Sequence, residues 1–166
     1  LMENKKKQTV YIAYGSNMGN WEEVKEKVFL LIENSVGSII QKSKTYQTPA
    51  WGKTDQPDFK NGIIKINTEL SPQSCLLALQ NIENQLGRIR TEKWGPRIID
   101  LDIIDFDGLV FSTHELILPH PYAHKRQFVL EPLADIAPNL MLPNCSKSVS
   151  KILNSLEDKV VLKILE

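Results

Sequence analysis

With 166 residues the chain is long enough to bury a real core and too short to divide comfortably, so a single domain over residues 2–166 is expected. Its 20 basic and 20 acidic residues cancel, which excludes a global field drawing it to nucleic acid or an anionic membrane and leaves any charge function to local clusters. Cys75 and Cys145 are too few for a disulfide framework, no apolar stretch spans a bilayer, and the run after Lys5-Lys6-Lys7 is too short for a signal peptide, so a reducing cytoplasm is the expected home.

Residues 10–14 form a compact β-prone run ended by the turn formers Gly15, Ser16 and Asn17. From Trp21, apolar Val24, Val28, Leu31 and Ile32 recur at helical spacing among charged residues, and Asn20 stands where an N-cap belongs, which predicts an amphipathic helix. Gly15 and Gly19 lack the Lys-Ser/Thr pair with which a P-loop engages phosphate and metal. Residues 38–46 read as one strand closed by Thr48-Pro49, and residues 51–58 as a breaker-rich loop carrying Trp51. Asn61-Gly62 leads into a strand over 63–68, with Ile64 and Ile66 on one face and Ile63, Lys65 and Asn67 on the other.

Ser71-Pro72 is a helix start, and Leu76, Leu79, Ile82, Glu83 and Leu86 keep helical spacing until Gly87 stops it. Arg88, Arg90, Lys93 and Arg97 then populate a loop that feeds an Ile- and Leu-rich strand over 98–106. Strict alternation there puts Asp100 and Asp102 on one face with Ile98, Ile104 and Phe106, and Asp105 and Asp107 on the opposite parity. Asp107-Gly108 signals a hairpin whose return, 109–111, would lie alongside the Asp strand. His120 sits between Pro119 and Pro121, residues 128–137 and 148–156 read as short helices, and 160–165 as a terminal strand. Strands alternating with helices, together with that hairpin, predict an α+β fold: antiparallel pairs with helices on one or both faces.

Two carboxylates flanked by apolar residues repel each other and lose hydration, a cost removed when they share a cation. For so short a motif, an edge strand whose acids face water is the plainer alternative. The adjoining arginines favour the cation, because a magnesium polyphosphate needs carboxylate oxygens for the metal and guanidinium forks for the phosphates. Asp100 and Asp102 lie roughly 7 Å apart along an extended strand, a span from which one or two bridging metals can be held. The competing reading has the arginines merely neutralising neighbouring acids. His120 reads as a phosphate hydrogen-bond donor or as plain loop structure, and Pro121 opposes the helix that would align it with His124 on a metal. Arg126 and Phe128 flank Gln127 and would share a face if extended, offering a guanidinium plane and a ring to a flat heterocycle; Phe128 reads equally as core.

Several motifs together resemble one family, the 6-hydroxymethyl-7,8-dihydropterin pyrophosphokinases of folate biosynthesis. They are Tyr14-Gly15-Ser16-Asn17, Thr48-Pro49, Asp55-Gln56-Pro57-Asp58-Phe59 with Asn61, Gly87-Arg88-Ile89-Arg90, Trp94-Gly95-Pro96-Arg97 followed by Asp100-Leu101-Asp102, and Pro119-His120-Pro121. The resemblance implies transfer of pyrophosphate from ATP to the pterin hydroxymethyl oxygen with release of AMP, on a ferredoxin-like α+β sandwich. It implies that Asp100 and Asp102 hold two magnesium ions and that Arg88 and Arg97 grip phosphates. Gln80, Glu83, Arg90, Trp94, Ile103, His120 and Arg126 would complete the ATP site. The pterin would stack between Phe59 and Phe128 and be read through Asn61 and the backbone around Thr48 and Trp51.

The resemblance further implies a monomer whose partners are ATP and the pterin, without nucleic acid or membrane. Phe59 stands where Tyr is frequent in the family, which keeps the stacking face and loses a hydroxyl. Pro121, Glu115 and Ile117 depart from the pattern and carry no assignment. The loops around Lys53 and from Arg90 to Gly95 are expected to close over ATP and exclude water. Two rival readings are a non-catalytic nucleotide- or pterin-binding module of the same shape, and an Asp-x-Asp nucleotide-sugar transferase, for which the chain is short.

Overall fold

The computed structural model describes residues 6–49, 55–87 and 98–165. In chain order these form β1 (Gln8–Ser16), α1 (Trp21–Ser35), β2 (Ser38–Lys42), β3 (Tyr46–Thr48), β4 (Phe59–Thr68), α2 (Pro72–Gln85), β5 (Asp100–Phe106), β6 (Phe111–Ser112), β7 (Ile117–Leu118), α3 (Gln127–Ile136), α4 (Val149–Ser155) and β8 (Lys163–Ile164). The main sheet runs β5-β1-β4-β3-β8, with β2 also paired to β4, and every pairing is antiparallel. Inserting β4 beside β1, and β1 beside β5, splits two β-α-β units. This is the ferredoxin-like arrangement, an α+β fold as the alternation of elements predicts.

The helix starts follow the sequence. The Asn20 side chain accepts the Glu23 amide and the Ser71 hydroxyl accepts the Ser74 amide, each satisfying a donor left without an intrahelical partner. Gly87, at φ +82°, follows the C-terminus of α2 in the left-handed conformation that glycine adopts without steric cost. One face of the sheet, carrying Val10, Ile12, Tyr14, Ile64, Ile66, Leu101 and Ile103, buries Val28 and Ile32 of α1 and Leu79 and Ile82 of α2. The other face, with Tyr11, Ile63 and Ile104, buries Val129, Leu130 and Leu133 of α3 and Val149 of α4. Each fully buried Val, Ile or Leu contributes roughly 1.5–3 kcal/mol, so the two cores clamp the sheet from both sides. Among the described residues no helix is long and apolar enough to cross a membrane.

Four expectations change in detail. Residues 38–46 form two strands, β2 and β3, because the chain leaves β4 at Ser43 and rejoins it at Tyr46. Asn61-Gly62 lies within β4, since tertiary pairing with β1 overrides the turn propensity of the pair. The Asp107-Gly108 turn exists, with φ values of 53° and 72°, but the returning chain pairs as β6 with β7 and not with β5. Finally, the register of β5 against β1 shifts between Tyr11 and Ile12, so Tyr11 faces Asp105 and Ile12 faces Ile103. That bulge breaks the strict alternation: Phe106 packs in the α1/α2 core, opposite the face of Asp100 and Asp102.

Gly62 gives the fold a direct test. A Cβ there would stand 2.5 Å from Tyr14 Cζ, and the Tyr14 ring cannot yield because it stacks on Trp21 at 5.9 Å and meets Phe29 edge-on at 5.2 Å. Gly62→Ala is expected to lower unfolding stability by about 1–3 kcal/mol, the usual cost of overpacking, read from urea denaturation. A midpoint equal to that of the parent protein would show that the ring has room to move.

Candidate active site

The cleft begins with two small residues on β1. Gly15 lies between Asp100 of β5 and Asn61 of β4, and Ala13 lies between Asp102 and Ile63, so two cross-strand rows are low in the middle and high at the flanks. Directly opposed residues share a face, so Asp100, Asp102 and Asn61 project to the same side of the sheet. A Cβ at Gly15 would stand 2.6 Å from Asn61 Oδ1, which makes the glycine a condition for that amide's position. The Asn61 amide donates to the Thr48 hydroxyl at 2.8 Å, tying β4 to β3 where Phe59 pairs with Thr48.

The opposite wall comes from the start of α3 and the segment before it. Thr48, Pro49, Phe59, Asn61, Asp100, Asp102, His120, Arg126 and Phe128 line one continuous cleft floored by Ala13 and Gly15. His120 is fixed by its amide, which donates to Ile104 O at 2.9 Å beside the β5 bulge. Its Nδ1 accepts the Tyr122 amide at 3.2 Å, so the proton of the neutral ring sits on Nε2. Burial lowers the His120 pKa to about 4, with the Arg126 cation adding to the effect and Asp100 opposing it, so the ring is a neutral donor near pH 7. Arg126 occupies the N-cap position of α3, its guanidinium carbon 5.2 Å from the Tyr122 ring centre and 5.6 Å from that of Phe128. The 126–128 segment is therefore a helix start and not an extended run, yet cation and ring still meet.

Glu83, Gln80 and Ile103 are not among the residues lining the cleft. Glu83, 3% exposed on α2, accepts the Leu101 amide at 3.0 Å. It thereby covers a donor at the outer edge of β5 and holds the residue between the two aspartates in place. Ile103 is buried in the α1/α2 core on the reverse face of β5, and Gln80 is half-buried on α2. Arg88, Arg90, Trp94, Arg97 and Trp51, with Lys53 and Lys93, lie outside the described residues.

Sequence reasoning missed three contributors. By sequence Ala13 reads as strand and Gly15 as a turn former, although small residues flanked by large ones on a central strand are the signal of a groove. Asn17 was read as a turn former; its amide donates to Gln56 Oε1 at 2.8 Å and to Pro57 O at 3.1 Å, fastening the chain that leads into Phe59. Asp105 shares the face of Tyr11 and not the opposite one. It stays clear of the cleft because its carboxylate, 3% exposed, accepts the Gly108 amide at 3.2 Å. Burial raises its pKa, the Gly108 bond lowers it in part, and Asp107 raises it again.

The cleft can therefore offer a carboxylate pair, a guanidinium and a neutral imidazole, together with two rings, an amide and a hydroxyl for a flat polar-rimmed group. Among the described residues no group of three or more His, Cys, Asp or Glu is placed to hold a metal. The pair fits a hard cation that keeps part of its shell for water or phosphate, as magnesium does, and does not make a closed protein cage.

Residues 11–138 match the family model described as 7,8-dihydro-6-hydroxymethylpterin-pyrophosphokinase. A 2-amino-4-hydroxy-6-hydroxymethyldihydropteridine pyrophosphokinase of Methylorubrum extorquens is 40% identical over 80% of this chain and 84% of its own. One from Haemophilus influenzae is 37% identical over 94% of this chain and 98% of its own. A crystal structure of the A437G variant of Plasmodium falciparum HPPK-DHPS superposes with a TM-score of 0.78 at 16% identity. It covers 92% of this chain, which spans less than half of the longer one, 46%, and the likeness speaks for the fold alone.

The His120 environment predicts a pH effect. Its pKa is about 4 folded against about 6.5 unfolded, so the unfolded chain binds the extra proton between these values and stability falls as pH drops from about 7 towards 4. His120→Gln removes that component, and the stability difference between parent and variant should shift against the parent as pH is lowered, read by urea denaturation at pH 7 and 5. A difference that stays constant between the two would contradict the burial of a neutral ring.

Proposed function

The chain belongs to the 7,8-dihydro-6-hydroxymethylpterin-pyrophosphokinase family, which transfers pyrophosphate from ATP to hydroxymethyldihydropterin in folate biosynthesis, and we propose that its transfer centre is the Asp100–Asp102 side of the cleft. The observation that carries this is the cross-strand geometry: two carboxylates on one face of β5 overlooking a trough that Ala13 and Gly15 leave empty. In this reading Asp100 and Asp102 hold two magnesium ions with ATP, and the ions supply charge neutralisation at the phosphates.

The remaining groups bind and orient. Phe59 and Phe128 hold the pterin between their rings, while Asn61 and Thr48, already linked, turn their remaining donors and acceptors to its rim. The row Asn61–Gly15–Asp100 puts the rim-reading amide and a metal-holding carboxylate on the two strands that flank β1, on one face, so the hydroxymethyl group is directed at the transfer centre. Its oxygen forms a bond to the β-phosphorus, the bond from that phosphorus to the α–β bridging oxygen breaks, and AMP departs while the hydroxyl proton is released. Arg126 and the Nε2–H of His120 face the phosphates as donors. Arg88, Arg90, Trp94 and Arg97, outside the described residues, are assigned to ATP and Trp51 to the pterin.

Gln80, Glu83 and Ile103 belong to this reading at the outer side of β5, where α2 meets the strand; Glu83 acts there through the Leu101 amide. The proposed unit is one domain over residues 2–166, a cytoplasmic monomer. Two unpaired cysteines agree with a reducing compartment, and burial pushes the Cys75 thiol up to about 12, far from the reactive range.

The reaction is tested by supplying ATP, magnesium and the reduced hydroxymethylpterin and following phosphorus resonances. AMP and pterin diphosphate are expected, and ADP or an unchanged mixture would defeat the assignment. Asp100→Asn and Asp102→Asn should each lower kcat by at least about 100-fold, the scale of losing one preorganised charge-stabilising group, and full magnesium-dependent turnover in either would remove that carboxylate from the centre.

A further inference from the structure

Gln127 stands between two cleft residues, Arg126 and Phe128, yet its own side chain turns away from the cleft. It faces a separate depression lined by Tyr46, Glu131, Ile164 and the segment from Lys159 to Leu162. There its amide forms a reciprocal pair with the main chain of Val160: Nε2 donates to Val160 O at 2.6 Å and the Val160 amide donates to Oε1 at 3.0 Å. Nε2 also donates to Glu131 Oε1 at 3.1 Å, one helical turn along α3. A side chain that both donates to and accepts from one residue copies a strand ladder and fixes the distance and tilt between the two segments.

The segment held this way is anchored at its other end. β8 pairs with Tyr46 and Gln47 of β3, and the Leu165 amide donates to Thr45 O at 2.9 Å. β3 carries Thr48, which lines the cleft and accepts the Asn61 amide. Residues 160–165 therefore strap the start of α3 to the strand across the cleft from it. The N-cap residue of α3, Arg126, makes no side-chain capping bond, so the clasp acts where a cap would.

We propose that Gln127 is a positioning residue: by clasping Val160 it holds the first turn of α3, and with it Phe128 and Arg126, at the width the pterin requires. The inference rests on the assignment of Phe128 to the pterin. Val160, 57% exposed, contributes main-chain atoms to the clasp, so its side chain has no part in the effect.

Two variants break the clasp from opposite sides. Gln127→Ala removes the side chain, and Val160→Pro leaves Gln127 in place while deleting the amide that donates to it. Affinity for the reduced hydroxymethylpterin, titrated by fluorescence without turnover and well below the unfolding transition, should weaken by about tenfold in Gln127→Ala, which loses both hydrogen bonds of the clasp, and by about threefold in Val160→Pro, which loses one. The double variant should be no weaker than Gln127→Ala alone, because both act on the same clasp. Unchanged affinity in both, or a loss in Gln127→Ala that Val160→Pro does not share, overturns the proposal. Amide hydrogen exchange over residues 126–130 reads the same clasp without ligand: faster exchange in both variants is expected, and exchange equal to the parent's overturns the proposal. A parent protein that bound no pterin would instead defeat the assignment of the cleft, and the exchange arm would still decide the role of Gln127.

Discussion

The whole site depends on what β1 leaves out. A central strand of an antiparallel sheet normally fills the space above itself, and between β5 and β4 this one presents Ala13 and Gly15. Larger side chains there would pack against α3 and close the trough, and even one carbon at Gly15 would collide with Asn61. The same omission brings charge and recognition within one substrate's length. Asp100 rises on one flank of Gly15 and Asn61 on the other, so in the proposed assignment a group read at its rim by Asn61 extends over the carboxylates.

Holding acids beside a core has a cost that the scaffold meets with specific partners. Glu83 reaches from α2 to the Leu101 amide and takes up a donor that the outer edge of β5 would otherwise leave open. The bulge at Ile104 ends the alternation after Asp102, lets Phe106 return to the α1/α2 core and hands Asp105 to the Gly108 amide. The amide of His120 then bonds to Ile104 O, so the irregularity in β5 also sets where the imidazole stands. A strictly regular strand would supply neither the turn of Phe106 nor this anchor.

Much of this was legible in the chain. The caps Asn20 and Ser71, the stop at Gly87 and the period of α1 and α2 are local signals, and they placed the helices that cover one face. The shared face of Asp100 and Asp102 followed from strand parity, which holds up to the bulge. What was hidden depends on partners distant in sequence. Nothing in residues 98–106 announces the register shift, since Tyr11 and Ile12 help define it from the far side of the sheet. The turn-forming pair Asn61-Gly62 became strand interior because β1 supplied partners for both residues, and the return from Gly108 paired with β7 because Ile117-Leu118 offered it a closer mate. For the cleft, the polar and aromatic residues stood out by type, while Ala13 and Gly15, whose role is to be small, did not.

The central claim is that Asp100 and Asp102 jointly hold the metal that accompanies ATP. It is tested most directly by crystals grown with manganese and a non-hydrolysable ATP analogue and measured for anomalous scattering at the manganese edge. Two peaks between the Asp100 and Asp102 carboxylates and the phosphate chain are the predicted result, lost in Asp102→Asn crystals. Manganese bound to the nucleotide alone, with both carboxylates beyond ligand distance of about 2.6 Å, would contradict the account.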